Sequence, residues 1–400
     1  MKKLKLPKEF NMDAIIKAYA DWLPKEYEDD YYSMKNMLYQ NADYSVIFGE
    51  KSNGKSYQVI QFAFVLWWYY RKQTAIVRRL DDNLKPRYAK KIFSNLEYNE
   101  LIIKETKGEY KGFIDWLTNH QYDSVIYVSR EWCVAKKLDD GTYETNPDVF
   151  ASAFALTKVD NYSSTSYPLL QLILHDDFIA IDNFYLPNEF VDYSILLSTI
   201  IRKRTNVKVF MCGNSNNRYC PYFIEMGLKH VKDMKQGTID LYTYGDSDLR
   251  VAVEYCKTTK AINKQSNKYF AFDNPKLKMI TSGDWKINNY PHLPVKYRDK
   301  ECLYKCYIVF NDEILQLNVI LVDKDIFLYI HPKTTEIQEN NTQLVFTQEY
   351  SHKYNYRRKF THNTKIEDLL LKCIAQDKVF YSDNNTGDTF DNYLKWCSTI

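Results

Sequence analysis

No C-x-x-C pair occurs in the chain, and its eight cysteines (133, 212, 220, 256, 302, 306, 373, 397) are scattered. The Cys302/Cys306 spacing has no matching Cys/His pair nearby, so the sequence offers no zinc site. The charged start Met1-Lys2-Lys3-Leu4-Lys5 is not followed by an apolar core, and no secretory signal is read. The most apolar helical stretch, 57–70, runs for about fourteen residues and is interrupted by Gln58 and Gln61, too short to span a bilayer. A net charge of only +3 argues against a generally basic nucleic-acid coat. Internal repeats and low-complexity tracts are also missing. The expectation is a soluble, reduced, intracellular chain without a membrane partner.

What is present can bury large cores: 45% of the 400 residues are hydrophobic and 16% aromatic, a length and composition that suggest two domains or more. The charge is unevenly spread. Residues 251–300 carry ten Lys/Arg against four Asp/Glu, whereas 301–400 carry eleven against fourteen. The basic surplus thus falls between two candidate domains, where it either holds a polyanion or is a solvated linker face.

Gly49-Glu50-Lys51-Ser52-Asn53-Gly54-Lys55-Ser56 is a complete G-x-x-x-x-G-K-S phosphate loop. Its glycines let backbone N–H groups turn inward around a phosphate, Lys55 reaches the β- and γ-phosphates, and the Ser56 hydroxyl is placed for Mg²⁺. The context fits: Tyr44 to Phe48 reads as a strand leading in, and Tyr57 to Tyr70 as a buried helix leading out. Such a loop needs a second strand ending in carboxylates. Leu170-Gln171-Leu172-Ile173-Leu174-His175-Asp176-Asp177 is the best candidate, with Asp176 facing the metal and Asp177 the attacking water; Asp182 reads as an ordinary loop acid. Val207 to Cys212 is a further strand, and Asn214 at its tip is placed to sense the γ-phosphate. Arg202-Lys203-Arg204 closes an apolar helix, Tyr193 to Ile201. A helix C-terminus favours cations, but an arginine at a subunit edge also serves ring ATPases as a finger, with Arg202 first and Arg204 next.

Elsewhere, residues 1–40 look helical, broken at Leu23-Pro24 and by the acidic cluster at 26–30. Thr74 to Val77 is a strand ending in Arg78-Arg79. Val125 to Val134 and Thr142 to Glu144 form a hairpin around Asp139-Asp140-Gly141. The alternation of strands and helices implies a mainly parallel sheet covered by helices. Past residue 240 the chain turns polar and helix-like (Asp248 to Lys260, then a Lys/Asn-rich stretch), with Pro291-His292-Leu293-Pro294 as a boundary. A three-stranded meander follows: Leu303 to Phe310, Ile314 to Val322 and Ile326 to Ile330. Beyond it lie the basic-aromatic segment His352 to Phe360 and a helix from Lys365 to Ile374. The expected division is an ATPase domain over 1–240 with an N-terminal helical extension, a basic helical linker over 241–298, and a smaller α/β domain over 299–400.

Taken together, these parts resemble the DNA-packaging ATPases of small phi29-type tailed bacteriophages. The likeness rests on the phosphate loop, Ile76-Val77-Arg78-Arg79, Tyr167-Pro168, Asp176-Asp177-Phe178-Ile179, Arg202-x-Arg204, and the strand ending in Asn214 followed by Pro221-Tyr222-Phe223. It runs from about residue 41 to 225, with a weaker match through Phe310-Asn311-Asp312, Leu328-Tyr329-Ile330 and Thr389-Phe390-Asp391-Asn392. The resemblance implies a P-loop ATPase domain of the ASCE type and a ring of five identical subunits on the capsid portal in the cytoplasm of the infected bacterium, driving double-stranded DNA inward with ATP and Mg²⁺. A structural packaging RNA is a further partner it raises. It implies Gly49, Lys51, Gly54, Lys55, Ser56 and Tyr57 as nucleotide contacts and Ser56 and Asp176 at the metal. Asp177 is then the catalytic carboxylate, Arg202 the finger acting in trans, and Asn214 the sensor. Two departures stand out. Asp177 takes the place usually held by Glu, and there are extra residues before the phosphate loop and in the 80–150 region.

The C-terminal part resembles the RNase H-like domain of packaging motors, read here as a nuclease relic because its acids form no recognisable triad. His352 to Phe360, bases interleaved with aromatics, could bind RNA or DNA or form an exposed strand pair. Arg78, Arg79, Lys85 and Lys158 are candidates for lining a DNA pore. The alternatives are a helicase-like ATPase, a nucleotide-dependent assembly protein without turnover, and a terminase with an active nuclease.

Overall fold

The computed structural model describes residues 3–23, 31–180, 185–215, 220–259, 289–339 and 342–399. The acidic cluster at 26–30, Asp182 and the Lys/Asn-rich stretch within 260–288 lie outside them. The chain divides into two compact units, Met1–Asn217 with His230–Trp285, and Arg218–Lys229 with Lys286–Ile400.

The first unit is built on a nine-stranded sheet: β1 (Tyr44–Gly49), β2 (Gln73–Arg78), β3 (Ser124–Val128), β4 (Glu131–Lys137), β5 (Tyr143–Ala155), β6 (Leu170–Asp176), β7 (Lys208–Asn214), β8 (Thr238–Thr243) and β9 (Arg250–Tyr255). Their order is β3-β4-β5-β2-β6-β7-β1-β9-β8. The six strands from β5 to β9 in that order are parallel. Every residue of β6 is buried, as a strand covered on both faces requires.

The helix Lys55–Tyr70 follows β1 and is apolar nearly all round, because its neighbours enclose it. Phe64 meets Phe113 and Phe150 edge-on, with ring centroids 6.2 and 5.6 Å apart, and Phe93 packs edge-on against Trp132 at 5.2 Å. Burying each such ring contributes roughly 1.5–3 kcal/mol. The N-terminal extension belongs to this core. Its helix Met12–Trp22, capped by Asn11, buries Met12, Ile15, Ile16, Tyr19 and Ala20. The Tyr19 hydroxyl donates to Gln61 Oε1 at 3.1 Å, and the Tyr70 hydroxyl to the Pro7 carbonyl at 2.6 Å.

Two expectations are corrected. The run Val125 to Val134 is two strands, split by Ser129 and Arg130, both left-handed (φ 51° and 69°), the conformation that closes a two-residue hairpin. The stretch Asp248 to Lys260, read as helical, contains β9 instead. β9 pairs with β1 on one side and with β8, antiparallel, on the other. Its β-branched Val251 and Val253, both buried, favour the strand.

The second unit carries a six-stranded sheet of β10 (Cys302–Phe310), β11 (Glu313–Val322), β12 (Asp325–Pro332), β13 (Leu344–Thr347), β14 (Asn355–Arg357) and β15 (Val379–Tyr381), ordered β14-β13-β10-β11-β12-β15. β10, β11 and β12 form the expected antiparallel meander, turning at Asn311-Asp312 and Asp323-Lys324, all left-handed. β13 and β14 then add in parallel beside β10, and β15 beside β12. The helices Lys365–Ala375 and Asn384–Thr399 complete the unit, and Phe310, Tyr393 and Trp396 pack in its core. Part of the basic-aromatic segment is engaged internally. Phe360 lies 4.5 Å from the Phe346 ring, Arg358 sits over Trp396, and Arg357 is 3.8 Å from Glu367. Among the described residues, no group of three or more His, Cys, Asp or Glu could hold a metal ion. No described helix is long and apolar enough to cross a membrane.

Candidate active site

Three neighbouring strand tips build the site. Gly49 ends β1 in register with Asn214, which ends β7, and Asp176 ends β6 opposite Cys212 of β7. The carboxyl ends of adjacent parallel strands are where open α/β sheets receive ligands.

The phosphate loop leaves β1 at Gly49. A Cβ there would lie 2.9 Å from that of Cys256, whose N–H donates to Phe48 O at 2.8 Å, so only glycine fits against the end of β9. Ser52 (φ 66°) and Gly54 (φ 98°) are left-handed, and the helix starts at Lys55. Lys55 Nζ donates to Glu50 O at 2.5 Å, to Asn53 Oδ1 at 3.1 Å and to Asn214 Oδ1 at 3.5 Å. Burial lowers its pKa; nearby Cys256, Cys212 and the two aspartates oppose the shift. The Glu50 carboxyl is pushed up to about 7 by burial, held back by Thr258 and Lys55.

The Ser56 hydroxyl donates to Asp176 Oδ1 at 2.5 Å, which brings the two expected metal ligands together. Asp176 is raised by burial; Arg78 and Ser56 counter this, while Asp177 adds to it. Asp177 follows β6 in the left-handed region (φ 58°), with its side chain 59% exposed. Arg78, at the end of the neighbouring β2, donates to Asp176 Oδ2 and Asp177 Oδ2, both at 2.5 Å. Burial works against its charge, but the two carboxylates outweigh that and raise its pKa. Arg79 donates to the buried Glu189 at 2.7 Å and to Phe178 O at 2.7 Å. Both arginines, expected among pore-lining candidates, are therefore committed within the unit. His175, fully buried with its ring 4.7 Å from that of Tyr193, is held well below its ordinary pKa by burial, with Arg79 and Arg78 adding to the effect.

The remaining expected residues fall as follows. Lys51 is exposed on the loop. Tyr57 packs against the core and its hydroxyl accepts from Asn99 Nδ2 at 3.0 Å, tying the helix to the 80–150 region. Arg202 ends the helix Glu189–Ile201 with φ 52° and ψ −120°; it is exposed and donates to Thr165 O at 2.8 Å. Arg204 donates to the carbonyls of Leu170, Pro168, Ile200 and Ile201, so its guanidinium joins the helix to β6, and burial lowers its pKa. Neither Arg202 nor Arg204 contacts the phosphate loop.

The sequence carries no local sign that Arg78 pairs with the acidic doublet, because the contact depends on β2 lying beside β6. Glu254 of β9, buried and accepting from the Tyr32 hydroxyl at 2.7 Å, gave no sequence signal.

No family model matches the chain, and no curated protein matches it. Solved structures do. The Phi-28 gp11 DNA packaging motor aligns over 91% of this chain and 97% of its own, at 15% identity and a TM-score of 0.51. The bacteriophage Phi-29 viral genome packaging motor assembly aligns over 92% of this chain and 99% of its own, at 16% identity and a TM-score of 0.52. At these identities the likeness is one of fold, and it spans both units.

Proposed function

We propose that the chain is an ATP-hydrolysing motor that moves double-stranded viral DNA into a preformed capsid through the portal, working as a homomeric ring. The observation that carries this is the meeting of Lys55, Ser56, Asp176 and Asp177 at adjacent strand tips, in a chain whose fold matches two packaging motors over nearly its whole length. The strand between β1 and β6, which is β7, supports reading the first unit as a P-loop domain of the ASCE type. In the second unit, a meander extended by two parallel strands beside β10 supports the RNase H-like reading, and the third parallel strand, β15, adds to the opposite edge beside β12.

The residues present fit Mg·ATP. The loop and Lys55 would hold the phosphates, and Ser56 with Asp176 would hold the metal, which would supply neutralisation of phosphate charge. Lys55, held by Glu50 O, Asn53 Oδ1 and Asn214 Oδ1, would be the cation that meets the nucleotide's phosphates. Asp177, more exposed than Asp176, orients the attacking water, and its release from Arg78 frees the carboxylate to accept a proton. Asn214, already within reach of Lys55, reports the state of the site to β7. Arg202, exposed at its helix end, acts on a neighbouring subunit. Contacts to DNA phosphate rather than to bases serve a motor that must ignore sequence, and imply strong salt dependence.

The test is steady-state ATPase of the purified chain, alone and with double-stranded DNA, beside Asp177→Asn. DNA-stimulated turnover that disappears in the variant supports the motor. Strand separation by the isolated chain would favour a helicase-like ATPase instead.

A further inference from the structure

The N-terminal extension contributes one residue with two separate holds on the site. Tyr32 donates its backbone N–H to Asn53 O at 2.9 Å, inside the phosphate loop. Its hydroxyl donates to Glu254 Oε2 at 2.7 Å, on β9. The ring between these ends is only 6% exposed. Glu254 lies in register with Ile47 of β1, and the chain leaves β9 at Cys256, against Gly49 at the base of the loop. Tyr32 therefore spans from the strand that buttresses the loop to the loop itself.

Asn53, where it attaches, matters to Lys55. Asn53 is 1% exposed, and its Oδ1 accepts from both the Lys55 backbone N–H (3.3 Å) and Lys55 Nζ (3.1 Å). It sits between Ser52 and Gly54, both left-handed. For a non-glycine residue such as Ser52 that conformation is disfavoured, and it persists only when the surroundings fix it. A hydrogen bond to the carbonyl between the two left-handed residues is such a restraint.

We infer that Tyr32 is a positioning residue that straps the phosphate loop in its nucleotide-ready shape, so that the N-terminal extension sets nucleotide affinity. The inference rests on the nucleotide reading of the loop. It follows from preorganisation: a loop already in its bound shape spends none of its binding energy on ordering.

The test uses the full chain and two readouts, ATP affinity by calorimetry and amide hydrogen exchange without nucleotide. Tyr32→Phe keeps the ring and removes only the hydroxyl. It is expected to weaken ATP binding about tenfold and to speed exchange across residues 50–55, while exchange in β6 stays at the wild-type rate. Glu254→Leu should match it, and the double variant should add nothing further, because both remove the same hydrogen bond. Wild-type affinity together with wild-type loop exchange in Tyr32→Phe overturns the strap. Lys55→Ala distinguishes the two levels: if the wild type binds ATP no better than Lys55→Ala, the nucleotide reading falls, and loop exchange still decides whether Tyr32 holds the loop.

Discussion

Arg78 and Asp176 form an ion pair at 2.5 Å with both side chains largely withdrawn from water, 16% and 11% exposed. A pair in that setting is sensitive to the loss of one member, because the other is left as an uncompensated buried charge.

Arg78→Ala should therefore destabilise the chain by about 3–5 kcal/mol. Arg78→Lys should recover only part, since a point charge cannot hold both carboxylates as the fork does. Chemical unfolding of the three proteins checks this; equal midpoints would show that the pair contributes nothing.

Asp177 calls for a different substitution. Its φ of 58° suits Asp and Asn better than other side chains, so Asp177→Asn removes the charge at little backbone cost. Turnover should fall by roughly 100-fold or more, the usual share of a positioned acid or base, while the exposed half of the Arg78 pairing is lost at a cost of no more than about 1 kcal/mol. Asp177→Ala should lose the same activity and about 1 kcal/mol of stability besides.

The arginines two residues apart should separate cleanly. Arg204→Ala leaves part-buried carbonyls of Leu170 and Ile200 without this donor and should cost about 1–3 kcal/mol. Arg202→Ala, at an exposed site, should stay within about 0.5 kcal/mol of wild type yet lose turnover. Mixing Arg202→Ala subunits with Lys55→Ala subunits then tests action in trans: activity restored in the mixture shows that a site can borrow its arginine from the neighbour, and full turnover in unmixed Arg202→Ala rules the residue out.

Glu254 gives a pH signature. Burial pushes its carboxyl up to about 7, with the Tyr32 hydroxyl partly countering. Unfolded, the group titrates near 4.3, so between about pH 4.3 and 7 the folded chain keeps a proton that the unfolded chain has lost. Its contribution to stability therefore declines as pH rises through that window and levels off above it. Glu254→Gln should flatten the slope, leaving the share that Glu50 contributes over the same window, and be more stable than wild type at pH 8 by an amount on the order of a few kcal/mol. Urea midpoints from pH 5 to 8 decide it: parallel curves would mean that the carboxyl does not titrate there.

The phosphate loop could be read from the sequence because its meaning lies in local spacing: Gly49, Gly54, Lys55 and Ser56 carry their geometry within eight residues. The strand ending in Asp176 and Asp177 was legible for the same reason, an apolar run closed by two acids. Arg78 was not, since its role depends on β2 lying beside β6, a pairing between distant segments that no local pattern states. Tyr32 and Glu254 stand 222 residues apart, and neither residue type announces a partner. The strand over Arg250–Tyr255 was hidden by polar flanks and became a strand through pairing with β1 and β8. In the second unit the meander was visible because its turns are marked by Asn311-Asp312 and Asp323-Lys324, whereas the three-residue strands β14 and β15 are too short to carry a pattern.

The order of the nine strands bears on how such a chain can diverge. Its parallel centre is bounded by antiparallel ribbons, β3-β4-β5 on one margin and β8-β9 on the other. The separation of the tips of β1, β7 and β6 is fixed by strand spacing, about 4.8 Å per step, and owes nothing to the length of either margin. The exposed connection between β4 and β5 (138–142) can be lengthened or trimmed without moving Gly49 relative to Asp176, while Trp132 of β4 stays in the core. The other margin is less free, because β9 carries Glu254 and supports Gly49. Drift in sequence should thus run faster at one side of the sheet than at the other.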